Sequence, residues 1–148
     1  MFVHLEKLIW SQSLLDSILA ALSVVPGGAL LTAPKVHLYT DAHIPDPVND
    51  TPASFTEAAF TGYAAVVLTT VGPENLSGNS GRMLQGDVDI ICTGSGGGFP
   101  QILGCYLTNT LGATLYAQCP FDAPVNIARV GDAINLDFSL PLTFKQGF

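Results

Sequence analysis

The sequence predicts an all-β chain: an antiparallel β-sandwich or jelly roll with a short N-terminal helical segment. Three observations predict it. From Lys35 onward apolar residues recur at every second position, as in Lys35-Val36-His37-Leu38-Tyr39-Thr40. Clusters of Gly, Pro, Asn and Asp cut the chain into about six to eight short runs. Between those runs there is no amphipathic helical pattern, which argues against a βαβ fold. The 148 residues fit one domain. Residues 31–148 form the β domain, and residues 1–30 form an N-terminal helical arm or cap.

Residues 1–25 read as helical. Leu14, Leu15, Ile18, Leu19 and Leu22 make an apolar stripe at helical spacing. Ser13 with Asp16 is an N-cap pair, and Pro26-Gly27-Gly28 stops the helix. Val3 to Trp10 is a separate helical turn or an arm, either a cap of the core or an extension laid on a neighbour. The first strand, Lys35 to Thr40, puts Val36 and Leu38 on one face and His37 and Tyr39 on the other. Asp41 to Pro52 is a loop, too rich in proline for a sheet interior. Phe55 to Phe60 is a short turn or edge element. Tyr63 to Thr70 lacks alternation, as a strand buried on both faces does. Gly72 to Gly86 is a loop or ragged hairpin. Asp87 to Thr93 alternates, and Gly94 to Gly98 is a flexible loop.

Gln101 to Thr108 and Ala113 to Cys119 make a hairpin across a turn at Asn109 to Gly112, where Gly112 supplies positive φ. Pro120 to Arg129 is an irregular connection, and Gly131-Asp132 is a turn. Ala133 to Phe144 is a long strand whose apolar face is Ile134, Leu136, Phe138, Leu140 and Leu142.

Charge is scarce. Charged residues make up 11% of the chain, with 5 basic against 12 acidic and a net charge of −7, where about 25% charged is ordinary. Hydrophobic residues are 48%, so disorder is excluded. The bases Lys7, Lys35, Arg82, Arg129 and Lys145 are scattered, which argues against direct nucleic-acid binding. A surface with few charges is cheap to desolvate against other subunits. The apolar stretch Leu14 to Leu31 contains Asp16 and is broken at Pro26, so it reads neither as a membrane span nor, with Glu6 beside Lys7, as an export signal. Cys92, Cys105 and Cys119 are 3 in number and have no CxxC spacing. They read as buried free thiols.

Candidate chemistry is thin. His37, Asp41, His43 and Asp46 are the one cluster of metal-ligand types, and Asp41, Asp46 and Asp50 offer oxygen to a hard cation. They read more simply as an acidic loop. Asp87 and Asp89 share a strand face about 7 Å apart, a glycosidase-like distance, but the pair is unspecific. No serine sits in a GxSxG elbow, and no Lys follows the glycines at Gly94 to Gly98. Asn49 and Asn75 match a glycosylation sequon, which has no bearing without a secretory context. Tyr39, Tyr63, Tyr106 and Tyr116 are either sugar-stacking platforms or core and interface anchors, the second being commoner. No catalytic residue, cofactor or metal is expected.

The run VHLYTDAHIPDP followed by SFTEAAFTGYAAV, and the later LGCYLTNTLGATLYAQCPFDAPVNIARVGDAINLDFSLPLTF, resemble small structural proteins of tailed bacteriophages, head decoration (cement) proteins among them. In that group a strand written LxLYT precedes a Pro/Asp loop and FTEAxFxGYA. Gly104, Tyr106, Phe121, Gly131-Asp132 and Ile134 to Leu142 match the later part. Cys105 and Cys119 depart from it. The resemblance covers about residues 30–144 and rests on fold-forming residues, so no catalytic role carries over.

It implies a virion protein on the capsid exterior, made in the host cytoplasm. Such a protein forms a homo-oligomer, a trimer, and bridges subunits of the major capsid protein, with no direct contact to nucleic acid or membrane. Many weak contacts per particle would sum to large avidity. Phe2, Leu5, Leu8, Ile9 and Trp10 are the expected interface residues, because they are apolar and lie outside the sheet pattern. The alternative is a carbohydrate- or receptor-binding module of a tail or fibre.

Overall fold

The computed structural model describes residues 2–4, 9–10, 34–68, 74–76 and 80–143, with side chains over 34–68 and 88–136. Nine strands occur among these residues: β1 (Phe2–His4), β2 (Ile9–Trp10), β3 (Lys35–Tyr39), β4 (Val66–Val67), β5 (Glu74–Leu76), β6 (Ser80–Ile91), β7 (Gln101–Thr108), β8 (Leu115–Asn126) and β9 (Ala133–Thr143). They form two sheets, ordered β1-β9-β6-β5 and β2-β8-β7-β3-β4. Every pairing is antiparallel except β1 with β9. The described residues are therefore mostly strand in antiparallel sheets, consistent with the all-β class expected. No helix among the described residues is long and apolar enough to cross a membrane.

Alternation builds the core. Val36 faces Leu107 and Leu38 faces Cys105 between β3 and β7. Leu107 in turn faces Ala117 on β8. In the other sheet Val88 faces Leu136 and Ile90 faces Ile134. These side chains, from both sheets, belong to one buried apolar cluster. Full burial of a Leu or Ile contributes about 1.5–3 kcal/mol, so this cluster supplies the main drive to fold.

The N-terminal segment differs from its helical reading. Phe2–His4 and Ile9–Trp10 are strands, each at the edge of a different sheet. Their aromatic and β-branched residues favour extended backbone. The helix expected over Ser13 to Leu22 lies outside the described residues.

Further differences follow from pairing partners. Tyr63 to Thr70 contributes only the edge strand Val66–Val67, with Val67 37% exposed rather than buried on both faces; Thr69 and Thr70 lie outside the described residues. Part of Gly72 to Gly86 is a hairpin of β5 with β6, irregular between Arg82 and Gln85. The connection after Cys119 is largely strand: β8 continues to Asn126. Pro120 lies opposite Gly104 in the ladder, and Pro124 falls in a bulge in which Leu103 alone lies opposite Phe121 to Pro124. A bulge frees its residues from the ladder, so the missing N–H of Pro124 leaves no gap. The hairpin turn at Asn109 to Gly112 is as expected: Gly112 has φ 75° and its N–H donates to Asn109 O at 2.9 Å.

Candidate functional site

The outer face of the five-stranded sheet carries the densest side-chain chemistry of the described residues. Strand alternation sends Val36 and Leu38 inward and leaves His37 and Tyr39 outward. Tyr106 lies opposite His37, and Gln118 lies opposite Tyr106. A row of large side chains thus crosses β3, β7 and β8.

The loop after β3 folds back over this row. Its return is fixed by Thr40 N–H donating to Thr56 O at 3.0 Å and Ala58 N–H donating to Leu38 O at 2.8 Å. A short 3-10 turn at Pro52–Ser54 delivers Phe55 onto the sheet. Phe55 stacks on Tyr106 with ring centres 4.5 Å apart, and His37 stacks on the same Tyr106 at 4.7 Å. Tyr39, Phe55, Tyr106 and Leu115 form a second buried cluster, separate from the main core. The Tyr39 ring lies over Gly104, where any Cβ would collide with it and with the Cys119 carbonyl oxygen. Gly104 is required by that close approach.

Two polar networks flank the rings. In the first, Glu57 Oε1 accepts from His37 Nδ1 at 2.8 Å and from the Tyr63 hydroxyl at 2.8 Å. A carboxylate only accepts, so Nδ1 carries the hydrogen in this contact. His37 Nε2 meets Thr108 Oγ1 at 3.0 Å, and the Leu38 N–H donates to the Tyr63 hydroxyl at 3.0 Å. In the second network Asp50 Oδ2 accepts from His43 Nε2 at 2.8 Å, from Asp46 N–H at 2.7 Å and from Gln118 Nε2 at 2.7 Å.

The electrostatics follow burial and bonding. Burial pushes the Asp50 carboxyl up, but the bonds from His43, Asp46 and Gln118 outweigh it and hold the group below its ordinary value. Burial, followed by the Glu57 and Asp41 charges, raises the Tyr106 phenol to about 12. Burial also raises Tyr39 and Tyr63. All three phenols are neutral at physiological pH.

Thr108, His37 and Glu57 align a hydroxyl, an imidazole and a carboxylate in the order a nucleophilic triad uses. Access decides what that line can do. Thr108 is fully buried, and its hydroxyl also donates to Asn109 O at 2.9 Å. In this arrangement the line braces the sheet against the loop, with the Thr108 hydroxyl enclosed at one end and Glu57 exposed at the other.

The sequence-derived candidates are dispersed. Among the described residues no three His, Cys, Asp or Glu side chains stand together as a metal site. His37 and His43 pair with different carboxylates. Asp41 accepts from Thr56 N–H at 2.8 Å, and Asp46 caps the Val48 and Asn49 amides. Asp87 lies opposite Asp137 in the ladder, while the exposed Asp89 accepts from Asn135 Nδ2. Cys92, Cys105 and Cys119 are buried and none is in a disulfide. Tyr39 and Tyr106 are buried and form no open stacking platform. Of the expected interface residues, Phe2 lies opposite Asn135, Ile9 opposite Gln118 and Trp10 opposite Ala117. Leu5 and Leu8 lie outside the described residues.

Sequence reasoning missed Glu57, Thr108, Phe55 and Gln118 as members of one cluster. Gln118 did carry a signal, as a polar residue between Ala117 and Cys119 in a strand. Nothing local says which loop residue it meets.

Exposed large apolar side chains of the described residues are spread over loops and strand ends, with Ile44 and Val48 on the loop after β3 and Val67 on the edge strand β4. Leu111, 86% exposed, tips the β7–β8 turn, and the Val48 loop shares a recess with residues 113–115. Phe99 stands before the opposite end of β7; Ile91 closes β6 in the four-stranded sheet, where Gly131 N–H donating to Cys92 O holds the turn that carries Val130. Comparison of the chain with protein families, curated proteins and solved structures gave no match.

Proposed function

We propose that this chain is a virion structural protein of a tailed bacteriophage, a head decoration (cement) protein that stabilises the capsid by bridging subunits of the major capsid protein. The β domain is a sandwich of jelly-roll type, and the working unit is a homotrimer on the capsid exterior. The observation that carries this reading is the set of exposed apolar side chains at several strand ends and loops, Ile44, Val48, Ile91, Phe99, Leu111 and Val130, on a chain that is 11% charged. A bridging protein needs contact surface at more than one end. Few charges in the chain as a whole keep the desolvation penalty of assembly small. The phage-like sequence pattern supplies the particle. Phe2 to Trp10 is the docking arm of this proposal: its strands occupy sheet edges, where backbone groups are available to a neighbour.

Copy number tests the reading. Quantitative mass spectrometry of purified virions containing this chain should find hundreds of copies per particle. A handful would move the protein to the tail, and a monomer that never attaches to heads would overturn the proposal.

A further inference from the structure

Cys105 on β7 and Cys119 on β8 stand directly opposite each other in the strand register. Opposed residues of an antiparallel pair project to the same face, with Cα atoms about 4.5–5.5 Å apart. Disulfides span roughly 4.4–6.8 Å between Cα atoms, so the backbone already has the reach. Both thiols lie in the main core, and Cys105 is hydrogen-bonded to Cys119. Cys92 is committed elsewhere, its thiol donating to Gly94 O at 3.2 Å. We infer that Cys105 and Cys119 are a modification site: a dithiol that closes to a cross-strand disulfide and locks β7 to β8.

The oxidant is a small-molecule disulfide. One protein thiolate attacks a sulfur of that disulfide and expels the first small thiol, leaving a mixed disulfide on the protein. The second protein thiolate then attacks the protein sulfur of the mixed disulfide and expels the second small thiol. The protein loses two hydrogens, and the oxidant is reduced to two thiols. The hydrogen bond to Cys119, then burial, hold the Cys105 thiol well above its ordinary value. The closed hairpin is therefore slow to react, and the step proceeds through local opening. In a reducing compartment the pair stays as thiols; in an oxidising exterior it closes. This inference goes beyond the assembly reading and does not depend on what the chain binds.

The test uses the intact folded protein in a buffer of oxidised and reduced glutathione. Free thiols are then alkylated in denaturant and the chain is cut with chymotrypsin, whose sites at Leu103, Tyr106 and Tyr116 separate the cysteines. The expected result is a loss of two hydrogens per chain, a peptide linking Cys105 to Cys119, and Cys92 alkylated. The thermal midpoint should rise on the order of 5–10 °C and fall back with reductant. Three alkylated thiols after prolonged oxidation, a link through Cys92, or a link between chains overturns the inference. So does a Cys105–Cys119 bond that lowers the midpoint.

Discussion

The Gln118 side-chain amide donates to Asp50 Oδ2 at 2.7 Å, across 68 positions of sequence. Gln118 is 1% exposed and sits in β8. This one bond anchors the loop between β3 and the Pro52–Ser54 turn to the middle of a sheet. Replacing Asp50 with Ala removes the shared acceptor of Gln118, His43 and the Asp46 amide. The expected loss is about 1–3 kcal/mol, read from urea unfolding. Proteolysis should increase within residues 41–58, while β6 and β9 keep their amide protection.

Acid should loosen the same loop. The Asp50 carboxyl is held below its ordinary value of 3.8, so the folded state favours the ionised form. That contribution is fully present above pH 3.8 and disappears as pH falls through the lower folded value. Asp46 and Asp132 are lowered in the same direction, but both are surface groups and add little. Stability curves of the native chain and Asp50→Asn, measured from neutral pH downward, should converge below pH 3.8. Parallel curves would place the acid sensitivity elsewhere.

Gly104→Ala should be among the most damaging single-atom additions. The new Cβ meets the Tyr39 ring and the Cys119 carbonyl oxygen. Overpacking of this kind costs about 1–3 kcal/mol. Because the carbonyl is backbone, Tyr39→Ala combined with Gly104→Ala should relieve only part of the strain. A double-mutant cycle by thermal unfolding measures that coupling.

The exposed apolar side chains separate assembly from folding. Leu111→Ser and Val130→Ser change exposed side chains, 86% and 53% accessible, so stability should move by less than about 0.5 kcal/mol. Under the bridging proposal both should weaken attachment to particles, measured by co-sedimentation. Unchanged attachment of both variants would remove these positions from the interface.

Much of the fold was legible because strand alternation is a local signal. β7 was read from Gln101 to Thr108, and the core face of β9 was read at Ile134 and Leu136. The positive φ at Gly112 followed from the turn sequence. What stayed hidden depends on partners. Val66 and Val67 look like a buried strand until the sheet order puts them at an edge. Pro120 and Pro124 look like a loop until Gly104 is seen opposite the first and a bulge at Leu103 opposite the second. His37 and Tyr39 were read on the face opposite Val36 and Leu38, as found, but a local pattern does not tell that Phe55 and Asp50 cover it. The Asp41 to Asp50 stretch read as an acidic loop that offers ligand types, because composition names donors and acceptors without pairing them. Once paired, each carboxylate is occupied by a nearby amide, His43 or Gln118.

β1 pairs with β9, Phe2 against Asn135 and His4 against Asp137. During translation that pairing waits until β9 has left the ribosome. An early-emerging strand must therefore stay unclaimed while β3 to β8 condense. Closing so distant a pair is entropically slow, which makes β1–β9 a late seal in folding. Until it forms, one border of the four-stranded sheet remains available to the same strand from another nascent chain.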